Sequence, residues 1–351
     1  MSGFCSPYTH AVMEKNGFEL FASLIDKIQA SGDELANIAM VGAASIFQGC
    51  SNCRANVRDL KLLESIGNKM VSGEIHTIES TRAAVECIHA CLCTDGYSFC
   101  QADPVPLVLL PALAAAVCNF SDDDFLVENA LTVLHRTCHF EPEPILEWPG
   151  LLATVLRIIS SGTNHSVIRA AADILGYFIL CTMRQEDVER RERIILAEGF
   201  MGAMARCLRE PKMSKPLAGS VGIILHGIEY GSDAHVDLLI EHPSSPIPQL
   251  VIFLQKEVNM GSNSHSGENA WKLCAKIFRC FLAKPRPNLL QNFLGCGVLR
   301  PFIAFASVHK GERLLPGEGV DALMEQILPP LLILHPELRT MAIEAGANNF
   351  V

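Results

Sequence analysis

The densest group of chemically capable side chains is Glu86 to Cys93, ECIHACLC, with three cysteines and one histidine in eight residues. Cys50-Ser-Asn-Cys53 precedes it and Cys100 follows. Thiolates and imidazoles are the usual ligands of structural zinc, which favours two CxxC pairs. Cys50–Cys53 has that spacing. Cys91-Leu-Cys93 does not. In helical phase Cys87 and Cys91 stand one turn apart, on a stripe with Ala84 and Ile88. A thiol on such a stripe behaves as a small hydrophobe. The expectation is a buried or half-buried helical thiol and no metal.

His135-Arg-Thr-Cys-His139 is a second candidate, since histidines four apart share a helix face. No HExxH pattern supplies a general base, so the pair reads as the polar end of a helix beside FEPEPILEWPG. Phosphate loops of the GxxxxGK[ST] and GxGxxG kinds are absent from the sequence, as is a GxSxG nucleophile elbow. The glycine- and serine-rich GSNSHSG (Gly261 to Gly267) carries no lysine and reads as a flexible break between helices. No catalytic residue and no cofactor is expected, and the chain does not read as an enzyme.

Composition limits the remaining classes. Of 351 residues, 49% are hydrophobic, 19% charged and 7% aromatic, which suits a large core of aliphatic and small side chains. The net charge of −10 argues against nucleic acid, which needs clustered Lys and Arg. RQEDVERRER (Arg184 to Arg193) mixes both signs and reads as a solvated helix face. The first twenty residues lack a basic segment followed by an apolar one. Most of the 14 cysteines sit in apolar periodic segments, so a reducing, intracellular and cytoplasmic setting is expected, with nucleus or cilium left open. The longest apolar run, PVPLVLLPALAAAVC from Pro104, is short and contains three prolines, so no membrane insertion is expected.

The elements that would carry these residues are helices. In SVIRAAADILGYFILC, Val167, Ala171, Ile174, Leu175 and Phe178 make one stripe of helical period. No hairpin signal occurs, so the chain reads as all-α. A glycine or proline signal followed by an apolar helix recurs near 17, 67, 105, 150, 199, 246 and 297, and a partial unit occupies 346–351. Each start is followed, after a polar break, by a second helix. These include NIAMVGAASIF, TRAAVECIHACL, VENALTVLHRTC, IRAAADILGYFIL, PLAGSVGIILHGI and ENAWKLCAKIFRCFL. The acids of DDDFLVEN suit a helix N-terminus. Steps of roughly 38–50 residues match helical solenoid units.

These units resemble armadillo repeats, whose longest helix reads A-x-x-x-L-x-x-L after a glycine-led helix. Ala84-V-E-C-Ile88, Ala130-L-T-V-Leu134 and Ala171-A-D-I-Leu175 fit that phase, and Glu344-Ala-Gly-Ala347 looks like the entry into a repeat. The HEAT pattern stays open beside it. The resemblance covers nearly the whole chain, and it implies a right-handed α-solenoid (superhelix) of about seven armadillo/HEAT-like repeats, one repeat domain over 1–351. Both ends fall inside or next to a unit, which points to a longer polypeptide or to assembly through the termini.

The resemblance also implies a concave groove lined by the longest helices. Its groove-facing positions here are Glu86 with Ala90, Thr132 with Arg136, Asp173 with Tyr177, and Lys272 with Lys276. With weaker phasing they include Ala44 with Gln48 and Ile223 with Gly227. Receptors of the importin-α kind place Trp and Asn at these positions. Here Trp271 lies one residue before the site, so a nuclear-signal receptor is not expected. The groove reads as acidic to neutral in the middle and basic toward Lys272, which favours a particular protein or extended peptide. A non-catalytic protein-binding scaffold or adaptor is the first functional expectation. A regulator of a small GTPase or other enzyme, or a structural subunit of a cytoskeletal or ciliary assembly within a larger complex, is the alternative.

Overall fold

The computed structural model describes residues 23, 34–49, 62–93, 108–138, 147–182, 188–209, 215–229, 233–260, 265–310 and 319–347. All seventeen regular elements longer than one turn in these segments are α-helices, and no strand occurs among the described residues. The residues group into two compact units, Met1–Ile174 and Leu175–Val351.

In the first unit the helices are α1 (Glu34–Gly49), α2 (Leu62–Val71), α3 (Ile78–Cys93), α4 (Leu109–Asn119), α5 (Asp124–Cys138) and α6 (Leu151–Ser161), with the first turns of α7 (His165–Cys181). The long helices form one row, α1 against α3 and α3 against α5, and the short ones a second, α2 against α4 and α4 against α6. Pairs α2–α3 and α4–α5 join the rows. Each row buries what the other cannot cover. Ala84, Ile88, Leu131 and Leu134 from the long row, and Ile66, Leu113 and Ile159 from the short row, are fully buried.

Side-chain caps set where the long helices begin. The Ser80 amide donates to Thr77 Oγ1 at 3.2 Å ahead of α3, and the Leu126 amide donates to Asp123 Oδ1 at 2.9 Å ahead of α5. At α7 the Ser166 amide donates to Asn164 Oδ1 at 3.0 Å. Each cap satisfies one of the orphan amides of a helix start, worth about 1 kcal/mol.

The second unit contains the rest of α7 and then α8 (Val188–Ile195), α9 (Phe200–Arg209), α10 (Lys215–Glu229), α11 (Asp233–Glu241), α12 (Ile247–Met260) and α13 (His265–Ala283). It ends with α14 (Pro287–Gly295), α15 (Leu299–Val308), α16 (Val320–Leu334) and α17 (Arg339–Glu344). Long helices α10, α13 and α16 pack in sequence, as do α9, α12 and α15. A third set of short helices precedes the others in each repeat, with α11 against α14 and α17 against α15. Asp237 of α11 and Arg286 ahead of α14 form an ion pair across that set. In the second unit the described helices come three to a repeat, the armadillo number, whereas a HEAT repeat has two.

A glycine stands where the chain turns from a short helix into the next, at Gly199 between α8 and α9 and at Gly297 between α14 and α15, and others stand just ahead of α6, at Gly150, and just after α17, at Gly346. Gly150, Gly199, Gly297 and Gly346 have φ of +80°, +88°, +79° and +97°, a region that side-chain-bearing residues rarely enter. All four are starts expected from the sequence. The start expected at Gly67 is displaced. Gly67 lies inside α2, buried, where a Cβ would stand 2.8 Å from Leu109 Cδ2 of α4. Its glycine serves close helix approach, and α2 begins earlier, at Leu62. The starts near 17 and 105 lie outside the described residues, and α4 is described from Leu109. The six expected second helices coincide with α1, α3, α5, α7, α10 and α13.

Candidate functional site

A long helix in these rows has little surface left. On α3 only Glu79, Arg82, Glu86, His89 and Cys93 escape burial after its first residue, at steps of three and four that make a single face. The corresponding face of α5 carries Phe125, Glu128, Asn129, Thr132, His135 and Arg136, and that of α7 begins with Ser166, Arg169 and Asp173.

Side-chain bonds hold these faces in register at their N-terminal edge. Arg82 Nη1 lies 3.7 Å from Asp123 Oδ2, and its guanidinium sits 4.6 Å from the centre of the Phe125 ring. Asn164 Nδ2 donates to Asp124 Oδ2 at 3.0 Å, and Ser166 Oγ donates to Glu128 Oε2 at 2.7 Å. The starts of α3, α5 and α7 therefore stand side by side. Further along, His89 and Cys93 of α3 lie within the fields of Glu128 and Arg136 of α5. Burial pushes the His89 imidazole below its usual range, against the pull of Glu128. Burial pushes the Cys93 thiol up to about 12 although Arg136 opposes it. His89 is thus a neutral donor–acceptor at neutral pH, and Cys93 a protonated thiol.

The residues expected at the groove take the following places. Gln48 is exposed near the end of α1, and Glu86 is half-buried on α3. Thr132 is half-buried and turns its hydroxyl back to the Glu128 carbonyl at 2.8 Å. Arg136 is half-buried beside it, one turn on. Asp173 is half-buried, with Arg169 Nε at 3.9 Å. In the second unit Tyr177, Lys272 and Lys276 are half-buried. Lys272 Nζ lies 2.7 Å from Glu268 Oε1, and Lys276 donates to the Glu229 carbonyl. The two lysines are thus engaged by acceptors of their own unit. Ala44 and Ala90 are fully buried and leave the face, because small residues there admit the neighbouring helix. Ile223 is half-buried, and the burial of Gly227 lies outside what is described.

The residues that could have done chemistry are distributed differently. Cys87 and Cys91 are inside the core, and burial pushes the Cys87 thiol far above its usual range. Cys50, Cys53, Cys100 and His139 lie outside the described residues. Trp271 is fully buried, stacked on Phe302 with ring centres 5.1 Å apart. Of RQEDVERRER, residues 184–187 lie outside the described residues, and among the rest the expected solvated face is corrected at Arg191. Arg191 is 5% exposed and donates from Nη1 to the Thr182 carbonyl at 3.2 Å.

The edge residues Arg82 and Phe125 were not among the expected site residues. The signal for Arg82 is present in the sequence as a repeated Arg-Ala-Ala, at Arg82 and at Arg169, each with an acid four residues after the arginine: Glu86 and Asp173. An i, i+4 pair of opposite charge marks an exposed helix face.

No family model matches the sequence, and neither does any curated protein. Solved structures do match. One engineered protein from a structural-genomics consortium aligns over 96% of this chain and 77% of its own, at 14% identity and a TM-score of 0.55. A second aligns over 74% of this chain and 97% of its own, at 14% identity and a TM-score of 0.50. A designed armadillo repeat protein aligns over 73% of this chain and 99% of its own, at 12% identity and a TM-score of 0.49. Identity at this level concerns the fold, and with the three-helix repeats of the second unit the fold of this chain is an armadillo-like, all-α helical repeat.

Proposed function

We propose that the protein is a non-catalytic scaffold that binds an extended segment of a partner protein along the exposed face of its long helices. The observation that carries this reading is the cross-helix stitching of that face in the first unit: Arg82 to Asp123 and Phe125, and Ser166 to Glu128. Side chains so held are ordered before a partner arrives, which lowers the entropic cost of binding. Stacked helices offer one short row of varied side chains per repeat, a surface suited to reading a chain residue by residue. Fold alone does not assign function, so the reading stands on this face.

The test is recovery of partners by crosslinking. Charge reversals Asp173→Lys and Lys272→Glu, combined with Tyr177→Ala, are expected to reduce the set of crosslinked proteins relative to the wild-type chain. An unchanged set would move the binding surface off these faces.

A further inference from the structure

One edge of the long-helix face in the first unit combines exposed apolar side chains with excess negative charge. Leu35 and Ile38 of α1 are 66% and 61% exposed, Ile78 at the start of α3 is 41% exposed, and Phe125 at the start of α5 is 39% exposed. The same spacing of unburied positions recurs along α1 and α3, and a side-chain contact ties the starts of α3 and α5. Positions 35, 38, 42 and 45 of α1 repeat the spacing of 79, 82, 86 and 89 of α3, and Arg82 reaches across to Phe125. In that phase Leu35 and Ile38 take the places of Glu79 and Arg82, so exposed apolar side chains stand at the start of each of the three helices, and the Arg82 stem adds to them.

The charges flanking these side chains are acidic. Glu34, Glu79, Asp122 and Asp124 are exposed there. Among the described residues of this edge the cation is Arg82, and it faces Asp123.

We infer that this edge docks an extended basic segment of a partner protein, with apolar residues as anchors and Lys or Arg between them. The inference rests on the scaffold reading above and specifies the partner's chemistry. Adjacent helices lie about 8–10 Å apart, and an extended chain advances about 3.3 Å per residue. Apolar anchors for α1, α3 and α5 therefore recur at every third residue, with cations at the positions between facing the carboxylates. A second copy of this chain is disfavoured as occupant, because its own acids would meet these and its net charge is −10.

The probe is a fluorescein-labelled peptide of about ten residues, with Leu at every third position and Lys or Arg between, titrated with the full chain by anisotropy. Two controls replace Leu by Ser, or the cations by Glu. The Leu–Lys peptide is expected to bind at least about tenfold more tightly than either control. Its affinity should fall by about tenfold with Ile38→Ser/Phe125→Ser, and its salt dependence should shrink with Glu79→Lys/Asp122→Lys. These side chains are exposed, and unchanged melting of each variant checks that the fold is kept; Ile78→Ser alone provides a milder variant. Equal binding of the Ser control, preference for the Glu control, or no binding at about 1 mM would overturn the inference. Concentration-dependent dimerisation abolished by Ile38→Ser/Phe125→Ser would also overturn it, in favour of a second copy. Binding lost with Asp173→Lys but indifferent to the edge variants would overturn the edge and leave the scaffold reading intact.

Discussion

The indole N–H of Trp271 donates to the Phe302 carbonyl at 2.9 Å, while the Trp271 ring stacks on the Phe302 ring at 5.1 Å and 10°. One side chain thus ties α13 to α15 by both its polar tip and its apolar face. Trp271→Phe would retain most of the stacking and remove one hydrogen bond from a carbonyl that keeps its helical donor inside α15, a cost of about 1 kcal/mol. Trp271→Ala would also open a cavity and cost about 3–5 kcal/mol. Urea unfolding of the two variants measures both, and a Phe variant as stable as wild type would show that the hydrogen bond contributes nothing.

Asp123 serves two helices, capping α5 through Oδ1 and meeting Arg82 of α3 through Oδ2. Asp123→Ala is expected to cost about 1–2 kcal/mol, chiefly through the cap. Asp123→Asn keeps a capping oxygen and should recover most of that. The exposed Arg82 pair contributes little alone, so Arg82→Ala should lower the melting temperature less than Asp123→Ala does.

The turn glycines make a graded prediction. Gly199→Ala and Gly297→Ala place a Cβ on backbones at φ +88° and +79°. The strain is about 1–2 kcal/mol at each position, and Asn should cost less than Ala because it tolerates this region. Nothing stands within 4 Å of a Cβ at Gly297, so its cost is conformational rather than steric. Thermal melts of the Ala and Asn pair at position 297 test that ordering.

These turns explain why the fold was largely legible. Gly150, Gly199, Gly297 and Gly346 punctuate the sequence because the backbone there needs glycine. Gly67 looks the same in sequence but answers a different need, helix contact, so a start was placed too late. The short helices α8, α11 and α14 carry too few turns for a clear apolar period. Helix α16 contains Pro329 and Pro330, which read as breakers, yet the helix runs through them to Leu334. At the site, phasing on the small residues placed Glu86, Thr132, Asp173 and Lys272 at the exposed edge of their helices. It could not show that Arg82 would bypass Glu86, its i+4 neighbour, for Asp123 and Phe125 on the next helix. That choice depends on how far apart α3 and α5 lie, which no local pattern encodes.

His235 makes stability fall in acid. It is 1% exposed, and burial lowers its pKa below 6.5, with Lys276 and Arg191 adding to the effect and Glu192 opposing it. Below pH 6.5 the unfolded chain takes up a proton that folded His235 resists, so folding is progressively disfavoured as pH drops through that window. His89 is shifted in the same direction by burial. Denaturation midpoints between pH 7 and pH 5 should decline, and His235→Gln should flatten the slope.

The alkaline side is governed by thiols. Burial alone pushes Cys274 from 9.0 up to about 12. Above pH 9 the unfolded chain releases a proton that the folded chain keeps, so this group lowers stability as pH rises. The limiting slope is about 1.4 kcal/mol per pH unit for one such thiol. Cys274→Ala should therefore lower stability at neutral pH by loss of packing, yet show a shallower decline between pH 9 and 10.5, the range over which this thiol titrates in the unfolded chain alone. A thiol reagent at pH 8 gives an independent check. Cys274 should stay unmodified in the folded protein and react on unfolding, whereas half-exposed Cys296 should react in the folded protein. Modification of Cys274 at the same rate as Cys296 would mean that α13 opens on the timescale of the reagent, and the alkaline slope assigned to this thiol would then have to vanish with it.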